Sequence, residues 1–152
     1  MKIYIDNCLL NRPFDDQTQE RIYFETQALL ILLKWIDEGK IQFLNSFALE
    51  FEVSAISDPD KGLKVREYLK AAEKFIEFDD KIEKRAMEFQ NYSFTAMDAM
   101  HIAVAEYAKV DYFVTCDDDI LKTAKKYSEM INVKVISIAN LVSEVINYAQ
   151  NN

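Results

Sequence analysis

The spacing of apolar positions changes several times along the chain, and each change marks an element. Lys2–Asp6 is short and β-rich, which predicts a first strand. From about Gln17 to Glu38, Ile22, Ala28, Leu29, Leu32, Leu33 and Ile36 recur at helical intervals, and Gly39 supplies a C-terminal stop. Ile41–Leu44 predicts a second strand. Asn45 or Ser46 can cap the next helix, which carries Phe47, Leu49, Phe51, Val53 and Ile56 and ends near Ser57-Asp58-Pro59. A helix follows from about Asp60 to Ala72, then a third strand over Lys74–Phe78. Asp79 or Asp80 begins a helix through Ile82, Ala86, Met87 and Phe89.

Thr95–Glu106 reads as a helix rich in alanine, so its backbone can approach a sheet closely. Tyr112–Thr115 predicts a strand, Asp118–Tyr127 a helix, Val133–Ile136 a strand and Ile138–Tyr148 a last helix. Strands alternate with helices almost throughout. Parallel neighbours need crossover connections, and helices then cover both faces of the sheet. The expected class is therefore α/β, a three-layer α/β/α sandwich with a mostly parallel central sheet. In such folds ligands bind beyond the carboxyl ends of the strands, where strand order reverses.

The acidic residues fall on that edge. Asp6 ends the first strand, Glu50 and Glu52 lie in the helix after the second, and Asp98 lies in the first turn of the alanine-rich helix. Asp117, Asp118 and Asp119 follow the fourth strand directly. Singly, Asp98 fits a capping arrangement with Thr95, and Asp117–Asp119 fit a helix N-terminus. Asp6 is harder to explain that way, because a carboxylate at the end of a buried strand needs a charged, hydrogen-bonded or metal partner. Convergence of several carboxylates raises their pKa values unless a cation favours the ionised state. A hard divalent ion, Mg²⁺ or Mn²⁺, is the natural counter-charge, since it uses few protein oxygens and can bridge to a phosphate.

Composition narrows the picture further. With 152 residues, 50% of them apolar, and only two Gly and two Pro, the chain predicts one domain over residues 1–149 with a short polar tail at 150–152. The net charge of −8 argues against broad duplex binding, which relies on Lys and Arg, but not against a nucleic-acid enzyme built on carboxylates. No charged leader precedes the first strand. The longest apolar run, Ala28–Leu33, is too short to span a bilayer, so a cytoplasmic protein with no membrane contact is expected. Cys8 and Cys116 are too few for a disulfide framework, and packing is the better reading of both, although their flanking of Asp6 and Asp117 can bring them near one another.

In order along the chain, "YIDNCLLNRPFDD", "NSFALEFE", "MDAMHIAVAE" and "YFVTCDDDIL" resemble the PIN-domain family of metal-dependent ribonucleases, particularly the toxins of VapBC toxin–antitoxin systems. The resemblance implies catalytic acids at Asp6, Asp98 and Asp117, with Glu52 as the remaining acid and Glu50 as its alternative. It also implies ion binding by Asp6, Asp98 and Asp117, with Glu52 and Asp119 as further candidates. RNA is the implied substrate, an antitoxin the implied partner, and a homodimer a recurrent assembly. The opposing possibility is a PIN-like RNA- or protein-binding scaffold without useful turnover. A phosphatase-type reading fits less well, because the position two after Asp6 is Cys8 rather than a second Asp.

Other polar residues have weaker readings. Asn7 and Thr115 are candidates to hydrogen-bond acids or substrate. His101, the one histidine, follows Asp98 by three residues on roughly the same helical face, and a supporting role suits it better than catalysis. Arg12 is a candidate RNA-phosphate contact, but pairing with Asp15, Asp16 or Glu20 is the competing expectation. Lys81, Lys84, Arg85, Lys122, Lys125 and Lys126 read as solvated faces. The aromatics Tyr23, Phe24, Trp35, Phe47, Phe51 and Tyr68 suit either core packing or a groove for a partner helix.

Overall fold

The first strand carries no charge between Lys2 and Asp6, and it lies where both faces of a sheet are covered. In a computed structural model that describes residues 1–151, β1 (Lys2–Ile5) has Ile3, Tyr4 and Ile5 wholly buried. Burial of each such side chain contributes about 1.5–3 kcal/mol. The other strands are β2 (Gln42–Ser46), β3 (Lys74–Ile76), β4 (Tyr112–Thr115) and β5 (Lys134–Ser137), and the order across the sheet is β3-β2-β1-β4-β5. Every pairing is parallel, which sharpens the expectation of a mostly parallel sheet.

The helices are α1 (Asn7–Leu10), α2 (Glu20–Asp37), α3 (Phe47–Ser54), α4 (Pro59–Leu69), α5 (Asp80–Gln90), α6 (Ala96–Tyr107), α7 (Asp118–Lys126) and α8 (Ile138–Asn151). Connections step one way from β1 to β3 and the other way from β3 to β5. Right-handed crossovers therefore put helices on opposite faces, completing the α/β/α sandwich. α2 packs beside α8, and α5 beside α6. Ala99, Ala103 and Ala105 of α6 are buried, as close approach of that helix requires. Among the described residues, no helix is long and apolar enough to cross a membrane.

Several boundaries differ from the expected ones. α1 and the 3₁₀ turn Arg12–Phe14 occupy the segment after Asp6, and α2 starts at Glu20 rather than Gln17 because Gln17 turns back to donate to the Arg12 carbonyl at 2.8 Å. Gly39, at φ +74°, follows the end of α2 and donates its N–H to Ile36 at 3.0 Å, a left-handed position that glycine adopts without strain. β2 runs through Ser46, because Asn45 and Ser46 pair with Phe75 and Ile76 of β3. α3 and α4 are shorter than expected, and β3 ends at Ile76 rather than Phe78. Gln150 and Asn151, expected in a tail, continue α8, while Asn152 lies outside the described residues. Of the early aromatics, Trp35, Phe47 and Tyr68 pack against the core, whereas Tyr23, Phe24 and Phe51 are exposed.

Candidate active site

Strand order reverses between β1 and β4, and in such sheets ligands bind beyond the carboxyl ends of the strands at that point. Asp6 is the first residue past β1. Its N–H extends the ladder to the Val114 carbonyl at 2.9 Å, and the residue is only 4% exposed. A carboxylate at that depth needs donors. The Thr115 hydroxyl donates to Oδ2 at 2.7 Å, and the Cys8 thiol lies 3.2 Å from the same oxygen. Thr115 Oγ1 also accepts the Asp117 N–H at 3.0 Å, so one hydroxyl ties the acid after β1 to the loop after β4.

Asp117 caps α7. Its Oδ1 accepts the N–H groups of Asp119 at 2.8 Å and Ile120 at 3.2 Å. Thr95 caps α6 in the same way, accepting the Asp98 N–H at 3.2 Å and holding Asp98 in the first turn. Burial raises the Asp98 carboxyl above the ordinary carboxylate range, and the charges of Asp6 and Asp117 raise it further. Asp98 therefore lies within electrostatic reach of Asp6 and of Asp117, although their segments are far apart in sequence.

Glu52 joins this group from α3. One of its oxygens, Oε1, is hydrogen-bonded to His101 Nε2, and Oε2 accepts from Asn7 Nδ2 at 3.4 Å. Ligand atoms of Asp6, Glu52 and His101 all lie within 4.8 Å of one another. Glu50 is turned to different partners, accepting from Asn45 Nδ2 at 2.9 Å and Arg66 Nη1 at 2.8 Å. The helix thus brings Glu52, and not Glu50, to Asp6. Two carboxylates so close, with the disfavoured charge of Asp98 nearby, form an oxygen donor set that fits a divalent cation, while both ring nitrogens of His101 are engaged by Tyr4 and Glu52.

The remaining sequence candidates have definite partners. Arg12 Nε donates to Glu25 at 3.2 Å and Nη1 to Asp15 at 3.1 Å, so of the expected partners only Asp15 is engaged. Asp119 is exposed in the first turn of α7. Asp118 forms a bidentate pair with Arg21, at 2.7 and 2.8 Å, which lowers the Asp118 carboxyl. Arg85, expected on a solvated face, is held by Glu106 and Glu88. The Cys8 and Cys116 sulfurs lie 3.3 Å apart, and the Cys8 thiol is raised by its contact with Cys116, by burial and by Asp6.

Sequence reasoning missed Tyr4, Arg21 and Glu25, and foresaw Ser46 only as a helix cap. The signal for Tyr4 was present: a phenol between two isoleucines in a central strand has a hydroxyl that must find a buried partner. It lies 2.7 Å from His101 Nδ1 and 2.6 Å from Ser46 Oγ. The partners 42 and 97 residues away carry no such signal.

These features define an α/β/α protein with an all-parallel sheet and a carboxylate cluster at its topological switch point. The sequence matches the PIN domain over residues 5–126, a span that includes Asp6, Glu52, Asp98 and Asp117, and the chain belongs to the PIN-domain family, whose members are generally nucleases. Solved structures that share its fold include the following two. PAE2754 from Pyrobaculum aerophilum superposes with a TM-score of 0.56 at 16% identity, over 97% of this chain and 99% of its own. VapBC2 from Rickettsia felis, bound to a DNA fragment from their promoter, superposes with a TM-score of 0.54 at 15% identity, over 90% of this chain and 98% of its own. At these identities the likeness is one of fold. No curated protein matches the sequence.

Proposed function

We propose that the chain is a Mg²⁺- or Mn²⁺-dependent endoribonuclease that hydrolyses RNA phosphodiester bonds, and that it is the toxin of a toxin–antitoxin pair acting in the cytoplasm. The observation that supports this reading is the meeting of Asp6, Glu52 and His101, from separated segments, at the switch point of a PIN fold, with Asp98 in reach of the charges of Asp6 and Asp117. Asp6, Asp98 and Asp117 would hold the ion, with Glu52 and Asp119 as further contributors. The chemistry a divalent ion would supply there is polarisation of a scissile phosphate and acidification of a water. The chain's own part is to keep its acids aimed. Thr115 and Cys8 steady Asp6, Asn7 and His101 hold Glu52, and the two helix caps orient Asp98 and Asp117. Arg12 beside the site is suited to an RNA phosphate if it releases Asp15.

The partner assignment rests on the fold shared with VapBC2 and on the exposed apolar side chains Tyr23 and Phe24 of α2 and Phe51 of α3, which suit an antitoxin or a second copy of the chain. Purified chain incubated with single-stranded and structured RNAs should cleave only when Mg²⁺ or Mn²⁺ is supplied. Asp6→Asn and Asp98→Asn should each lower the rate by about 100-fold or more. Cleavage in chelator, or undiminished cleavage by both variants, would reject the mechanism. Tight RNA binding without cleavage would favour the scaffold reading.

A further inference from the structure

Tyr4, Ser46 and His101 are buried, at 0%, 0% and 1% exposure, and they form an unbroken polar path that ends on Glu52. Hydrogens on such a path can be counted. Ser46 Oγ accepts the Leu49 N–H at 3.1 Å as the cap of α3, and its one other contact among the described residues is the Tyr4 hydroxyl. The hydrogen of Ser46 therefore goes to Tyr4 Oη. Tyr4 in turn donates to His101 Nδ1, which leaves the imidazole hydrogen on Nε2, facing a Glu52 oxygen that accepts it. The reverse direction leaves the Ser46 hydrogen buried without an acceptor, a costly arrangement. Burial raises the Tyr4 phenol, so Tyr4 keeps its hydrogen for this role.

We propose that Ser46, Tyr4 and His101 are positioning residues for Glu52, a one-way relay that fixes the Nε2–H tautomer of His101 and holds the Glu52 carboxylate against Asp6. The inference rests on the reading of Glu52 as part of the ion site and adds what keeps it there. Glu52 projects from a helix on a flexible side chain, and Asn7 touches its second oxygen only at 3.4 Å. His101 has no such freedom. Its ring lies 5.6 Å from that of Tyr4, which stacks on Phe113 at 5.7 Å in the centre of the sheet. The relay thus carries the rigidity of β1 and β2 into α3. Supporting hydrogen bonds of this kind commonly change metal affinity or activity by about 10–100-fold.

Tyr4→Phe tests the relay without altering the site, since it keeps the ring and removes one oxygen. In metal-free protein, ¹⁵N NMR of the imidazole should place the hydrogen on Nε2 in the parent chain. The Mn²⁺ dissociation constant, measured by calorimetry, should rise by about tenfold in Tyr4→Phe, and kcat should fall by a similar factor with KM for RNA unchanged. His101→Gln can still donate to Glu52 and should keep Mn²⁺ affinity within about threefold, whereas His101→Asn reaches only toward Tyr4 and should lose at least about tenfold. A hydrogen on Nδ1 in the parent chain, parental Mn²⁺ affinity in folded Tyr4→Phe, or equal affinities for the two His101 variants would each overturn the relay. The tautomer and affinity readings hold even if the chain cleaves no RNA. Conversely, cleavage lost in Asp6→Asn but kept in Tyr4→Phe would reject the relay and leave the nuclease reading standing.

Discussion

A carboxyl held where its charge is disfavoured weakens the fold until a ligand or a proton relieves it, and Asp98 is that group here. Its pKa is raised in the folded chain by burial and by Asp6 and Asp117, so between its unfolded and folded values the native state binds more protons than the unfolded state. Its contribution to stability therefore improves as pH falls through that window and worsens as pH rises. In chelator, Asp98→Asn should melt a few degrees higher than the parent chain at neutral pH. The difference should vanish in acid, and a lower-melting variant at neutral pH would refute the assignment of strain to this residue. Comparison of the two proteins isolates Asp98, because Asp118, lowered by Arg21, loses its contribution with falling pH in both. The two glutamates of α3 should separate as cleanly. Glu52→Gln should cost about 100-fold in cleavage. Glu50→Gln should leave the rate alone and cost roughly 0.2–1 kcal/mol in denaturant unfolding, the worth of a half-exposed pair with Arg66.

At the scale of elements, two aspartate caps do similar local work in different places. Asp58 Oδ1 accepts the Asp60 N–H at 3.0 Å and precedes Pro59 at the start of α4, while Asp117 caps α7 beside the site. Replacing either by Ala should cost about 1 kcal/mol in urea unfolding. Only Asp117→Ala should also remove cleavage. Asp117→Asn keeps a capping oxygen but loses the charge, so stability should survive while activity does not. Equal activity losses at Asp58 and Asp117 would mean that α7 acts merely as a strut. Caps of this kind were legible in the sequence: Thr95, Asp79 and Ser46 stand where a helix start was expected, and each accepts a backbone N–H there. α1 was not legible, since the four residues Asn7–Leu10 are too few to present a helical period. The last two residues of β2 were hidden for another reason, because Asn45 and Ser46 read as a polar turn and become a strand only through pairing with β3.

For the whole molecule, an ion that binds the native site and not the unfolded chain must raise global stability. Mn²⁺ at about 100 times its dissociation constant should add about 2.7 kcal/mol. Thermal unfolding should therefore shift upward with Mn²⁺ and return with chelator, and the shift should shrink in Asp6→Asn. A melting temperature indifferent to divalent ions would remove the ion from the account. The class of the molecule was readable from the chain, since helix and strand periods, caps and alanine content depend on neighbours a few residues apart. So was the placing of Asp6 after a strand, of Asp98 in the first turn of a helix and of Asp117 at a helix start. Tertiary structure alone decided that Glu52 rather than Glu50 turns toward Asp6, that Arg12 is engaged by Glu25, and that Tyr4, Ser46 and His101 meet. Those outcomes depend on strand order and on which side chains from distant segments share a buried space, and local periodicity carries no information about either.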